Sequence, residues 1–159
     1  MEKNFLLVTN NSLANETYRA HDVIAVEYLE DGGFLEVLIR TRDLVHSGWH
    51  LLTHPQASNL KPNQCPYKTI LLSSVCAAQP PERDVDMIEQ SILAYHKFTT
   101  GMRPPKWPES VLRDFRTVDL SVVESAINSS LLQQILYRNP NIQQEVKQTS
   151  ETGIRKGPY

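Results

Sequence analysis

The segment LLTHPQASNLKPNQCPYKTILLS, residues 51–73, gathers the side chains of this chain that are best suited to chemistry. Thr53 and His54 close one apolar run, and Lys61, Asn63, Tyr67 and Lys68 lead into the next. Two ammonium groups with nearby amides and hydroxyls would suit a carboxylate or a phosphate. A second polar group, Thr9, Asn10 and Asn11, follows the first apolar run of the chain. In open α/β sheets ligands gather beyond the carboxyl ends of strands, so the two groups could face one crevice. His54, with an ordinary pKa of about 6.5, is the residue that would serve as general acid or base were the chain an enzyme. The competing reading is that His54 and the asparagines hydrogen-bond the loop's own backbone while both lysines are solvated.

Cys65 would be a nucleophile only with a base such as His54 folded against it, and packing is the commoner role of a lone thiol. Cys76, beside an apolar run, reads as packing. His46, His50 and His54 recur every four residues, but Gly48 interrupts any helix that would align them, so no metal site is expected. The common phosphate-loop, dinucleotide and serine-hydrolase fingerprints are absent, and no cofactor is implied. The basic, aromatic RPPKW at 103–107 could bind a peptide or nucleic acid, though a proline bend with Trp107 turned inward accounts for it more simply.

Short elements must position these groups. Phe5–Val8 reads as a strand, followed by a helix capped at Asn11 or Ser12 and running through Tyr18. The β-rich DVIAVEYLE ends at Asp31-Gly32-Gly33, and a 3.6-residue apolar period from Phe34 ends at Ser47-Gly48. WHLLTH and YKTILLSSV follow as strands; their unbroken apolar runs predict that both are central in one sheet covered by helices. Val85, Ile88, Ile92 and Tyr95 mark a helix, Pro108 starts another with Val111, Leu112 and Phe115 inward, and Ser121 with Glu124 reads as the capping box of a last helix carrying Val123, Ile127, Leu131 and Ile135. The expected fold is α/β: a small mixed or mostly parallel sheet of about four strands covered by helices, with a helical C-terminal third. Residues 1–138 are read as one domain, mainly helical over 84–138, and 139–159 as a polar tail.

The chain has 159 residues and a formal net charge of −2. A domain of this size buries roughly 68–70% of the surface of its unfolded chain, so a core needs no disulfide. Bulk charge points to neither nucleic acid nor an anionic membrane, and no apolar run approaches the ~18 residues of a membrane span. A cytoplasmic location follows as the expectation, with Cys65 and Cys76 both free. A homodimer is left open.

Three stretches, LLVTNN, VEYLEDGGFLEVLIRTRDLVHSGWHLLTHP and KPNQCPYKTILLS, resemble the GrdX family, over roughly residues 4–75 and with the helix at 85–98 included. The His-Pro and Lys-Pro-Asn-x-x-Pro-Tyr-Lys arrangement is the most specific part of the likeness. The resemblance implies a small protein accompanying the glycine reductase system of amino-acid-fermenting anaerobes, without an established activity of its own. A protein of the reductase complex is then an expected partner, beside a small carboxylate or phosphate held by the 53–68 loop. No cysteine pair is available for electron transfer, and Cys65 stands where the family would not be expected to require cysteine.

Overall fold

The structure, a computed structural model, describes residues 3–58 and 60–137; the expected tail at 139–159 lies outside them. Strand β1 (Phe5–Thr9) leads through helix α1 (Ser12–Tyr18) to β2 (Ile24–Tyr28) and helix α2 (Phe34–His46). The two-residue β3 (His50–Leu51) and then β4 (Thr69–Ser73) flank the polar segment, and helices α3 (Pro81–Thr99), α4 (Glu109–Ile127) and α5 (Ser130–Tyr137) follow. The sheet order is β2-β1-β4-β3. It is mixed: β1 pairs parallel with β2 and antiparallel with β4, and β3 pairs antiparallel with β4.

Alternation along the two central strands divides the core between two faces of the sheet. Phe5 and Leu7 of β1 and Leu71 of β4 join a cluster with α1, α4 and α5, including Tyr18, Val123, Ile127 and Ile135. Val8, Ile70 and Leu72 join the opposite cluster with α2 and α3, through Val37, Leu38, Ile88 and Ile92. Every residue of β4 is buried, as its unbroken apolar run predicts for a strand covered on both faces. The expectation for the preceding strand fails. β3 lies at the sheet edge, where only His50 and Leu51 pair with β4, although Leu51 is itself fully buried. Leu51 packs with the α2–α3 cluster and the half-buried Leu52 against the opposite one, so neither needs a second neighbouring strand to cover it.

Gly48 ends α2 with φ of 103°, the left-handed conformation that glycine adopts without Cβ strain, and Gly101 ends the α3 segment with φ of 73°. The capping box expected at Ser121 does not form. α4 is continuous from Glu109 to Ile127, and the Ser121 hydroxyl donates within it to the Val118 carbonyl at 2.7 Å. No glycine or proline interrupts this span, so the backbone ladder simply continues. The break falls instead at Asn128-Ser129, where Ser129 Oγ accepts from the Leu132 amide at 3.3 Å. That break turns the helix face: Leu132, Ile135 and Leu136 are buried and Leu131 is exposed.

Candidate functional site

The carboxyl end of β1 meets the polar segment, but most of its polar atoms are already spent. Thr9 Oγ1 and Thr69 Oγ1 lie 2.7 Å apart, and Thr69 Oγ1 donates to Asp119 Oδ2 of α4 at 2.6 Å. Asn11 caps α1 by accepting from the Leu13 amide at 3.0 Å, and its own amide donates to Asp119 Oδ2 and the Arg116 carbonyl, each at 2.9 Å. Asn10 donates to the carbonyls of Pro66 at 2.8 Å and Gly32 at 3.2 Å, and accepts from the buried Lys68 amide at 2.9 Å. Thr9, Asn10 and Asn11, expected as ligand donors, thus staple β1, α4 and the 53–68 segment together. Thr53 is spent similarly, its Oγ1 accepting from the Leu71 amide at 3.0 Å.

His54 is exposed, and its Nδ1 accepts from the Gln56 amide at 3.0 Å. Partial burial, and then the Lys68 charge, lower its pKa, so the ring is held toward the neutral form. Cys65 is buried and is brought to no base: its thiol donates to the Tyr67 carbonyl at 3.5 Å, and burial pushes its pKa up to about 11. A thiol so protonated is a poor nucleophile at neutral pH. Cys76 is buried against the Ser73 hydroxyl. Among the described residues no group of three or more His, Cys, Asp or Glu could hold a metal. Tyr67 OH accepts from Arg116 Nη1 at 2.9 Å, which ties the end of the segment to α4.

Lys68 stands apart. Only 4% of it is exposed, contrary to the competing reading in which both lysines are solvated. Its ammonium lies 5.8 Å from the Phe34 ring centroid, and among the described residues no carboxylate forms an ion pair with it. Burial lowers its pKa; the Asp119 charge, the largest opposing influence, raises it. Burial raises the Asp119 carboxyl, while the bonds from Thr69 and Asn11 and the Lys68 charge pull it back. The two share the lining of a cavity of about 20 Å³ with His54, which is room for about one water.

On its other side Lys68 lines a cavity of about 100 Å³ together with Lys61, Gln56, Ser58 and Ser91, under Phe34 and Phe98. The turn Lys61-Pro62-Asn63-Gln64, closed by the Gln64 amide on the Lys61 carbonyl at 2.9 Å, places Lys61 there. Proline at the second position of such a turn fixes its φ in advance. Lys61 is exposed, with Nζ 5.3 Å from the Phe98 centroid. The two lysines of the segment therefore line one cavity, which Thr9, Asn10 and Asn11 do not line.

A third and larger cavity, about 330 Å³, was missed by sequence reasoning. The 101–108 bend folds over the 62–66 turn and the start of α2, and Trp107 Nε1 donates to the Gln64 carbonyl at 2.9 Å. Trp107 remains 37% exposed, so it is only partly inward, with its ring edge-on to Phe115 at 5.5 Å. The sole signal in the sequence was the bend's three prolines and its tryptophan, matched by a second proline-rich segment at 55–66.

A family model described as GrdX-like protein matches residues 6–128. The match runs from β1 to the end of α4, and so takes in the bend and the helix beyond the stretch on which the likeness was first seen. No curated protein and no solved structure matches the chain. No helix among the described residues is long and apolar enough to cross a membrane.

Proposed function

Because the chain belongs to the GrdX-like protein family, we propose that it is a non-enzymatic accessory protein of a glycine reductase type of amino-acid fermentation, and that it holds a small carboxylate or phosphate between Lys68 and Lys61. The observation that carries the anion site is the buried Lys68, which lines a cavity and has no ion-pair partner among the described residues. Taking an ammonium out of water is expensive, and a protein normally offsets it with an acceptor or an opposite charge. An oxyanion in the 100 Å³ cavity would supply that charge, with Lys61 as a second cation and the Ser58 and Ser91 hydroxyls as donors. Ser91 Oγ donates to the Met87 carbonyl at 2.7 Å, so it would have to turn to join the ligand. A protein of the reductase complex remains the partner that family membership suggests.

The enzyme alternative would assign acid–base work to His54. The cavity at His54 has room for about one water, and the ring nitrogen nearest the backbone is engaged, which favours the binding reading. The test is a thermal titration of the purified chain with phosphate, acetate and acetyl phosphate. A ligand at a hundred times its Kd stabilises by about 2.7 kcal/mol, so a saturating rise in Tm is expected in the wild type and none in Lys68→Met. No rise at millimolar anion, or the same rise in the variant, would overturn the site.

A further inference from the structure

We infer that the 330 Å³ cavity under the 101–108 bend is a second binding site, built for an apolar amino-acid residue with a neutral N–H and a free carboxylate. Its walls are largely apolar, with Phe34, Tyr95, Trp107 and Leu112 among prolines from both segments. Its volume lies in the range of small-molecule sites, which combine such walls with a few placed polar groups. Two polar groups here are unspent. Asn63 Oδ1 is buried without a hydrogen-bond partner, while the amide nitrogen of the same side chain meets only the Met102 sulfur at 3.7 Å. Buried acceptors are almost always satisfied, and Asn63 lines the cavity, so that a turn of its side chain would bring this oxygen to a donor held there. Arg103 also lines the cavity, is exposed, and forms no ion pair among the described residues.

These groups select the ligand. A single amide oxygen among apolar walls accepts from a neutral N–H far better than it could desolvate an ammonium. The guanidinium fork matches a carboxylate. An apolar side chain between the acylated nitrogen and the carboxylate fills the rest. That chemistry is shared by a free N-acylated amino acid and by the last residue of a polypeptide. The site is separate from the Lys68 cavity, although Phe34 and Pro62 line both, and it stands whether or not the anion proposal does.

Calorimetric titration of the full chain with N-acetyl-L-phenylalanine tests it, read beside 3-phenylpropanoate, which lacks the N–H, and N-acetyl-L-phenylalaninamide, which lacks the carboxylate. Saturable binding is expected for the first and at least tenfold weaker binding for both comparators, because a site with a polar group left unpaired rejects the analogue lacking its partner. Asn63→Leu should keep or raise Tm, weaken the acylated amino acid at least tenfold and leave 3-phenylpropanoate unchanged. Arg103→Gln should weaken the carboxylates and leave the amide unchanged. A tetrapeptide ending in phenylalanine that binds more tightly than the acylated amino acid would identify a polypeptide end as the ligand, and equal affinity would identify the small molecule. Absence of saturable binding at millimolar N-acetyl-L-phenylalanine, or comparators that bind equally well, would overturn the proposal.

Discussion

The carboxyl end of β1 and the 53–68 segment carry the same kinds of side chain, yet they hold opposite positions in the protein's hydrogen-bond accounts. Asn10 and Asn11 have both side-chain amide atoms engaged, to Pro66, Gly32, Lys68, Leu13, Arg116 and Asp119. Asn63, a few residues along the other segment, leaves an amide oxygen buried without a partner, and Lys68 is buried with no ion pair among the described residues. A polar residue near a strand end is therefore not evidence of a ligand. What distinguishes a site is an unsatisfied polar group beside open space, because the satisfied ones already stabilise the fold.

The sharpest test of that contrast is Asn10→Ala. It removes three hydrogen bonds and leaves the buried Lys68 amide without its acceptor. Such a loss amounts to roughly 2–4 kcal/mol, or a fall in Tm on the order of 10 °C, measured by calorimetry. A fall of under about 2 °C would show that Asn10 is not a structural staple.

Lys68→Met should act in the opposite sense. Replacing a buried charge by an apolar side chain of similar length should raise stability by about 1–4 kcal/mol at pH 7 while abolishing any response to phosphate or acetate. The sign with pH follows from the lowered pKa of Lys68. A lysine whose folded pKa lies below its unfolded value contributes stability that is present above the unfolded pKa and lost as pH falls through the folded one. The advantage of the methionine variant should thus be largest near neutrality and shrink as pH rises toward about 10.5. An advantage that grows with pH would contradict an unpaired, desolvated lysine.

Smaller effects separate the exposed residues. Lys61→Ala should leave Tm within about 2 °C of wild type, since surface substitutions usually fall within roughly ±0.5 kcal/mol, yet weaken anion binding several-fold. His54→Gln should change least of all. Wild-type protein incubated with glycine or acetyl phosphate should show no turnover for the substitution to remove, and any His54-dependent conversion would promote the enzyme reading, in which loss of a general acid or base costs on the order of 10²–10⁴ in rate.

Local pattern was enough for much of the architecture. Asn11 as a cap, the glycine that ends α2, and the buried Ile70-Leu71-Leu72 strand were all legible, because each depends on propensities and periods within a few residues. The same short-range reading misplaced Ser121, since a capping motif acts only where the helix ladder is broken, and it set β3 in the sheet interior, since an apolar pair does not reveal whether a strand or a helix covers it. Within the candidate site the sequence by itself determined which residues could bind: two lysines, a histidine and several amides carried on a proline-stiffened segment. Only the tertiary structure decided which of them are free to do so. Asp119 and Gly32 are distant in sequence from the groups they satisfy, and the bend that encloses the 330 Å³ cavity reaches back across more than a helix to cover the 62–66 turn. Hydrogen-bond partners and enclosed space are properties of long-range contact, and no local pattern encodes them.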